Sequence, residues 1–141
     1  MLPDDANRRW LPVFFGVAAC SWMPHWSCHY YRLETASSFV VGSWEFSPAA
    51  SIVHMLVYTG LIAFSLGAIV VPLLRPWSAL LSGMLHVTIG IVHVVRLARP
   101  FRFEVFNLPW PRGASIREAL IVLGFGAMCL AVAWLTRQRE A

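Results

Sequence analysis

Histidine is the residue type in this chain with the most chemistry open to it, and there are five: His25, His29, His54, His86 and His93. All lie in or at the ends of apolar stretches. An imidazole in such surroundings is costly unless partnered, which makes each a candidate for function. His54 has Ala50 four residues before it, and His86 has Ser82 at the same offset. A small side chain one turn before a histidine leaves room for a flat macrocycle lying against the helix. Gly83 and Gly90 open the same face of that stretch further. An axial imidazole on haem b, or on the magnesium of a chlorophyll-type ring, suits this pattern, with ligands drawn from His54, His86 and His93. The plainer alternative is packing. Small residues let membrane helices approach closely, and a lone histidine can simply hydrogen-bond across helices.

A second constellation is the run Cys20-Ser-Trp-Met23-Pro-His25-Trp-Ser-Cys28-His29. On a helix His25 and His29 share one face. Met23, His25, Cys28 and His29 together offer thioether, imidazole and thiol, the donor set that suits copper. Zinc has use for the cysteines and histidines but not for Met23. The spacing matches no established metal motif, and Cys20 points roughly 80° away from Cys28 on an ideal helix. A kinked aromatic segment with incidental Cys and Met accounts for it equally.

Charged residues form a third group. Glu34, Glu45, Glu104 and Glu118 fall on the same side as the histidines. They can orient ligand imidazoles or serve as solvated partners of nearby arginines. Arg96 and Arg99 follow His93 by one and two turns. They can hold haem propionates or a quinone headgroup, or snorkel as helix-end arginines do. Tyr58, one turn after His54, can relay a proton. There is no P-loop, GxGxxG, G-x-S-x-G or H-E-x-x-H. Three cysteines without a C-x-x-C argue against a disulfide framework.

The elements that must position these residues are apolar spans. Of 141 residues 58% are hydrophobic and 13% charged, and none is Lys. A soluble domain of this length cannot hide so much apolar surface. The expected fold is therefore an all-α membrane protein, a single domain built as a four-helix transmembrane bundle. Its spans fall at about 10–31, 48–72, 76–96 and 116–136, each near the ~20 residues a bilayer requires. The first is the least regular, because Pro24 interrupts it. Arg8-Arg9 followed by an apolar run to Cys20 also has the form of a secretory or lipoprotein leader, and is taken here as the first membrane helix. Ser47 and Pro48 start the second span. Ser115 with Glu118 forms a capping box for the fourth.

Spans two and three form a hairpin, so longer loops 1 and 3 emerge on one membrane face. Phe101–Phe106 alternates apolar and polar residues, as a short strand or interfacial segment would. Antiparallel threading puts His25, His29, His54 and His93 at similar depth near that face. His86 lies roughly 10 Å deeper than His93. The loop side carries Arg32, Arg96, Arg99, Arg102, Arg112 and Arg117. The other side carries Arg8, Arg9, Arg75, Arg137 and Arg139. Arg8-Arg9 beside the first helix favours cytoplasmic termini in a bacterial inner membrane. The net charge of +4 belongs to helix-end anchors meeting lipid headgroups, not to a nucleic-acid surface.

The function expected is a small integral membrane subunit holding a metal centre: haem b on the intramembrane histidines, or copper at the loop-1 face. It would serve electron transfer in a larger complex, with other subunits or a second copy as partners and quinone as a candidate acceptor. Two other classes compete. One is a cofactor-free structural or assembly subunit. The other is a membrane enzyme or carrier for a lipid-like molecule in a pocket ending at His54, Tyr58 or His86.

Overall fold

Proline sets most of the helix boundaries. A computed structural model describes residues 4–106 and 108–138. Helix α1 spans Asp4–Ser21 and α2 Met23–Glu34, followed by strands β1 (Phe39–Val41) and β2 (Trp44–Phe46). Helix α3 covers Pro48–Val70, and a 3₁₀ turn at Pro72–Leu74 leads into α4, Arg75–Ala98. Strands β3 (Glu104–Val105) and β4 (Leu108–Pro109) precede α5, Ala114–Arg137. Pro48 opens α3 at its first turn, where a missing N–H costs nothing. Val71 and Arg99 leave helical geometry for extended backbone, each just before a proline that disfavours the α region for its predecessor. Ser47 occupies the cap position of α3, but its side chain makes no capping bond.

Among the described residues three segments are long and apolar enough to cross a membrane: Pro48–Val70, Pro72–Ala98 and Ala114–Arg137. The expected first span, 10–31, differs. It is two helices that meet at Trp22. Pro24 can donate no hydrogen bond, and its ring opposes the carbonyl four residues back. The polar residues after it, His25, Ser27, His29 and Arg32, also lower the hydropathy of α2. Ser115 departs from expectation too. Helix α5 starts at Gly113 and Ala114, so Ser115 lies inside the first turn, fully buried. The side chain of Arg8, and Arg139 altogether, lie outside the described residues.

Helices α4 and α5 form the most intimate pair, and the reason is glycine. A Cβ placed on Gly126 would sit 2.9 Å from Val87 Cγ2 and 3.0 Å from the Val87 nitrogen. One on Gly83 would sit 2.8 Å from Leu130 and 3.1 Å from the Gly126 carbonyl oxygen. Backbones approach this closely only where side chains are absent. Helices α1 and α2 both pack on α3.

Helix α4 is inside out. Its buried residues are Pro76, Ser78, Ala79, Ser82, Gly83, His86, Gly90, His93 and Arg96, all of them small or polar. Its large apolar side chains, such as Leu81, Met84, Ile91 and Val95, face outward. A soluble amphipathic helix does the reverse.

The apolar core lies toward the end that carries the termini. It joins Leu11, Phe14 and Phe15 of α1 to Ala68, Ala79, Cys129 and Val132. The loop end is built from rings and polar groups instead. There β1 and β2 pair antiparallel, Phe39 opposite Phe46 and Val41 opposite Trp44. The tight turn places Gly42 at φ +65°, where glycine is the residue without steric cost. Val41 bridges to Phe103, and Gly42 N–H donates to the Arg102 carbonyl at 3.0 Å, which ties loop 1 to loop 3. The alternating segment 101–106 thus ends in strand β3, paired with β4.

Candidate functional site

Helical spacing gathers the site. On α2, His25, Cys28, His29 and Arg32 follow an i, i+3, i+4, i+7 pattern, which is one face. On α3, Ser51, His54 and Tyr58 do the same. The two faces meet. The His29 and His54 rings stack 4.5 Å apart between centroids, 7° from parallel. His29 Nδ1 lies 3.1 Å from the fully buried Ser51 hydroxyl. Phe39 closes the top, with its ring edge-on to His29 at 5.2 Å and to His54 at 5.5 Å.

Tyr58 and Trp22 continue the cluster inward. Tyr58 is 5.5 Å from His25 and 5.8 Å from both His29 and Trp22. Trp22 is completely buried, and its indole lies 4.1 Å from the His86 ring. Its N–H donates to Ser82 Oγ at 3.4 Å. Phe125 packs edge-on to the other side of His86 at 4.8 Å.

Hydrogen bonds fix the proton positions. His54 Nδ1 is 2.8 Å from the Ala50 carbonyl, and His86 Nδ1 is 2.7 Å from the Ser82 carbonyl. A carbonyl oxygen can only accept, so both Nδ1 atoms carry hydrogen. Both Nε2 atoms are then lone-pair donors in the neutral ring. The small residue one turn earlier therefore serves the imidazole itself through its backbone, and beside His86 the indole of Trp22 fills the adjoining space.

His93 is held differently. Arg96 donates through Nη1 to Ser115 Oγ at 3.0 Å, and Ser115 Oγ lies 3.3 Å from His93 Nδ1. A hydroxyl that accepts from a guanidinium is polarised to donate its own proton. Ser115 Oγ thus links the Arg96 guanidinium to the His93 ring. Arg96 does not snorkel. It is buried and donates to the carbonyls of Phe101, at 3.2 Å, and Trp110. Arg32 mirrors it from loop 1. It donates to the Glu104 carbonyl at 2.7 Å and lies over the Phe39 ring at 4.5 Å. Burial pulls its pKa below the ordinary arginine value, yet a guanidinium stays charged at neutral pH.

The residues expected to ligate a metal separate into places. His25 and His29 come together around Tyr58, and His54 stacks on His29. His86 sits behind Trp22, and His93 faces loop 3, 5.5 Å from Phe103. Cys28 is buried, whereas Met23 is 49% exposed on another face of α2. Among the described residues no three His, Cys, Asp or Glu side chains converge as a metal-binding group. The Met23–His25–Cys28–His29 set is thus not a preformed copper or zinc centre. Of the carboxylates, Glu104 pairs with Arg102 at 2.6 Å and Glu118 with Arg117 at 3.1 Å. Trp22 and Ser51 carry no signal in the sequence that marks them for the site, and Arg32 reads there only as a loop-side charge. For Ser82 the signal was present, since Ser78, Ser82, His86, His93 and Arg96 recur at helical spacing on one face.

A wide-open depression of about 540 Å³ lies at the β1–β2 hairpin. Phe39, Trp44, Phe46 and Phe101 wall it, Gly42 and Ser43 line its rim, and His54 is the titratable group on its surface. Apolar walls with one well-placed polar group are the usual form of a small-molecule site. No family model, no curated protein and no solved structure matches this chain.

Proposed function

We propose that this chain is an integral membrane protein whose loop-face depression receives a tetrapyrrole, haem b in the leading form, on His54. One observation carries the reading. The Nδ1 hydrogen of His54 is committed to the Ala50 carbonyl, which leaves Nε2 for a ligand, and His54 lines an aromatic depression. Metal-ligating histidines are held this way, with the second nitrogen engaged to fix tautomer and ring direction. A tetrapyrrole brings four of its own ligands and asks one or two from the protein. It therefore suits a site where three protein donors do not converge better than a bare copper ion does. His29, stacked on His54 and held by Ser51, fixes the plane of the ring.

His86 presents the same tautomer and is the second candidate ligand, but Trp22 covers it. His93, held by Ser115 beside the Arg96 guanidinium and packed on Phe103 of loop 3, is the least suited of the three. When bound, the group would supply one-electron chemistry, with membrane lipids, other subunits or a second copy, and quinone as partners. The setting is a bacterial inner membrane with the termini in the cytoplasm.

The experiment is an absorption spectrum of the detergent-purified chain, oxidised and dithionite-reduced, with haemin added in steps. A stoichiometric Soret band that His54→Ala abolishes and His93→Ala leaves intact is the expected result. No band, or a band indifferent to His54, overturns it. The reading left standing would be a cofactor-free structural or assembly subunit. The observation favouring that reading is that His29, His54, His86 and His93 already hold hydrogen-bond partners within the chain.

A further inference from the structure

The end of the molecule opposite the loops carries a groove of about 310 Å³ between the start of α4 and the end of α5. Leu80, Leu130, Ala133, Trp77 and Trp134 line it, together with the one charged residue Arg137. The two indoles are 53% and 62% exposed, so the largest apolar surfaces of this region are left uncovered by the chain itself. Arg137 is exposed as well. A second guanidinium is close in sequence. Arg75 directly precedes the groove residue Pro76, and it caps α3 by donating to the carbonyls of Ala68 at 3.1 Å and Ile69 at 3.2 Å.

Position and charge choose the occupant. Both helices are spans, and these residues are at their ends, the depth at which tryptophan and arginine meet lipid headgroups. An apolar helix seated here would leave the Arg137 charge beside it without a partner, which is unfavourable. A phosphate accepts from a guanidinium in its own planar geometry. An acyl chain suits the apolar lining of the groove.

We propose that this groove binds an acidic glycerophospholipid, with one acyl chain against Trp77 and Trp134 and the headgroup on Arg137. The site depends on the chain spanning a membrane and is independent of the loop-face depression. It is tested by native mass spectrometry of the full chain in detergent, with phosphatidylglycerol and phosphatidylcholine of identical acyl chains added in equal amounts. Retention of the acidic lipid about fivefold over the zwitterionic one is expected, the contribution of one interfacial arginine. Arg137→Gln, at an exposed helix end, should equalise the two without loss of fold. Trp134→Ala should lower retention of both. Equal retention in the unmodified chain overturns the proposal. So does a preference that survives Arg137→Gln, or a dimer that excludes lipid and is lost in Trp134→Ala.

Discussion

The imidazoles of His29 and His54 lie face to face, 4.5 Å apart, although they are 25 positions distant in the chain and on different helices. This contact, with the His29–Ser51 hydrogen bond, is where α2 is joined to α3 at the loop end. His29→Ala should remove the stack and leave the buried Ser51 hydroxyl short of a partner, at a cost of about 1–3 kcal/mol. His29→Phe keeps the ring face and loses only the hydrogen bond, so it should be the milder change. Thermal unfolding in detergent, followed by circular dichroism, checks the order of the two. Equal melting of both variants and the parent would mean the stack carries no stability.

Glycines on α5 separate cleanly by what lies opposite them. Gly126 faces Val87, where part of the obstruction is backbone nitrogen at 3.0 Å that no rotamer can move. Gly126→Ala should force α4 and α5 apart and cost about 1–3 kcal/mol, the usual penalty of overpacking. Gly124, two residues earlier, has nothing within 4 Å of an added Cβ. Gly124→Ala should be neutral or stabilise by up to about 1 kcal/mol, since alanine is the better helix former. Parallel denaturation of the two variants is decisive, because the chemical change is identical and only the neighbour differs.

Arg96 fastens loop 3 to α4 through Phe101 and Trp110, and the start of α5 through Ser115. Arg96→Ala should destabilise by about 2–4 kcal/mol, as charge-assisted bonds to buried acceptors are lost together. Arg96→Lys should recover part of this, since an ammonium cannot reproduce the fork. Arg102 and Arg112, exposed in the same loop, supply the readout. Trypsin should cut after them faster in Arg96→Ala than in the parent. Unchanged cleavage would show that the strand pairing β3–β4 holds the loop without Arg96.

The legible part of this fold is the part that depends on one segment at a time. Spans two, three and four show in the sequence because each is an apolar run of more than twenty residues closed by proline or arginine. Their observed ends at 70, 98 and 137 fall within two residues of the expected ones. The expected first span, 10–31, is not among the three: Pro24 and the polar residues after it break both backbone pattern and hydropathy, and the segment folds as two helices. What periodicity cannot give is the rotation of one helix against another. It placed the histidines near one face, but not that Trp22 would cover His86 or that Ser115 would join Arg96 to His93. The small residues before His54 and His86 were legible, while their use was not. The backbone carbonyl at each of those positions takes the imidazole proton, a partner no side-chain pattern announces.

Trp22 is the residue on which most of the buried cluster leans, touching His25, Tyr58 and His86 at the break between α1 and α2. Its truncation to alanine should leave a cavity beside His86 and cost about 3–5 kcal/mol. Trp22→Phe retains much of the ring and gives up the long bond to Ser82, so it should cost less. The vacated space is lined on one side by His86 and on another by Tyr58, which suits a flat heteroaromatic molecule with one N–H. Indole added to the alanine variant should therefore raise its melting temperature in proportion to the logarithm of its concentration, as ligand linkage requires. The parent chain, with the space already filled, should show no such dependence. If indole stabilises both equally, it acts on the detergent micelle or the surface, and Trp22 does not fill the space that keeps His86 closed.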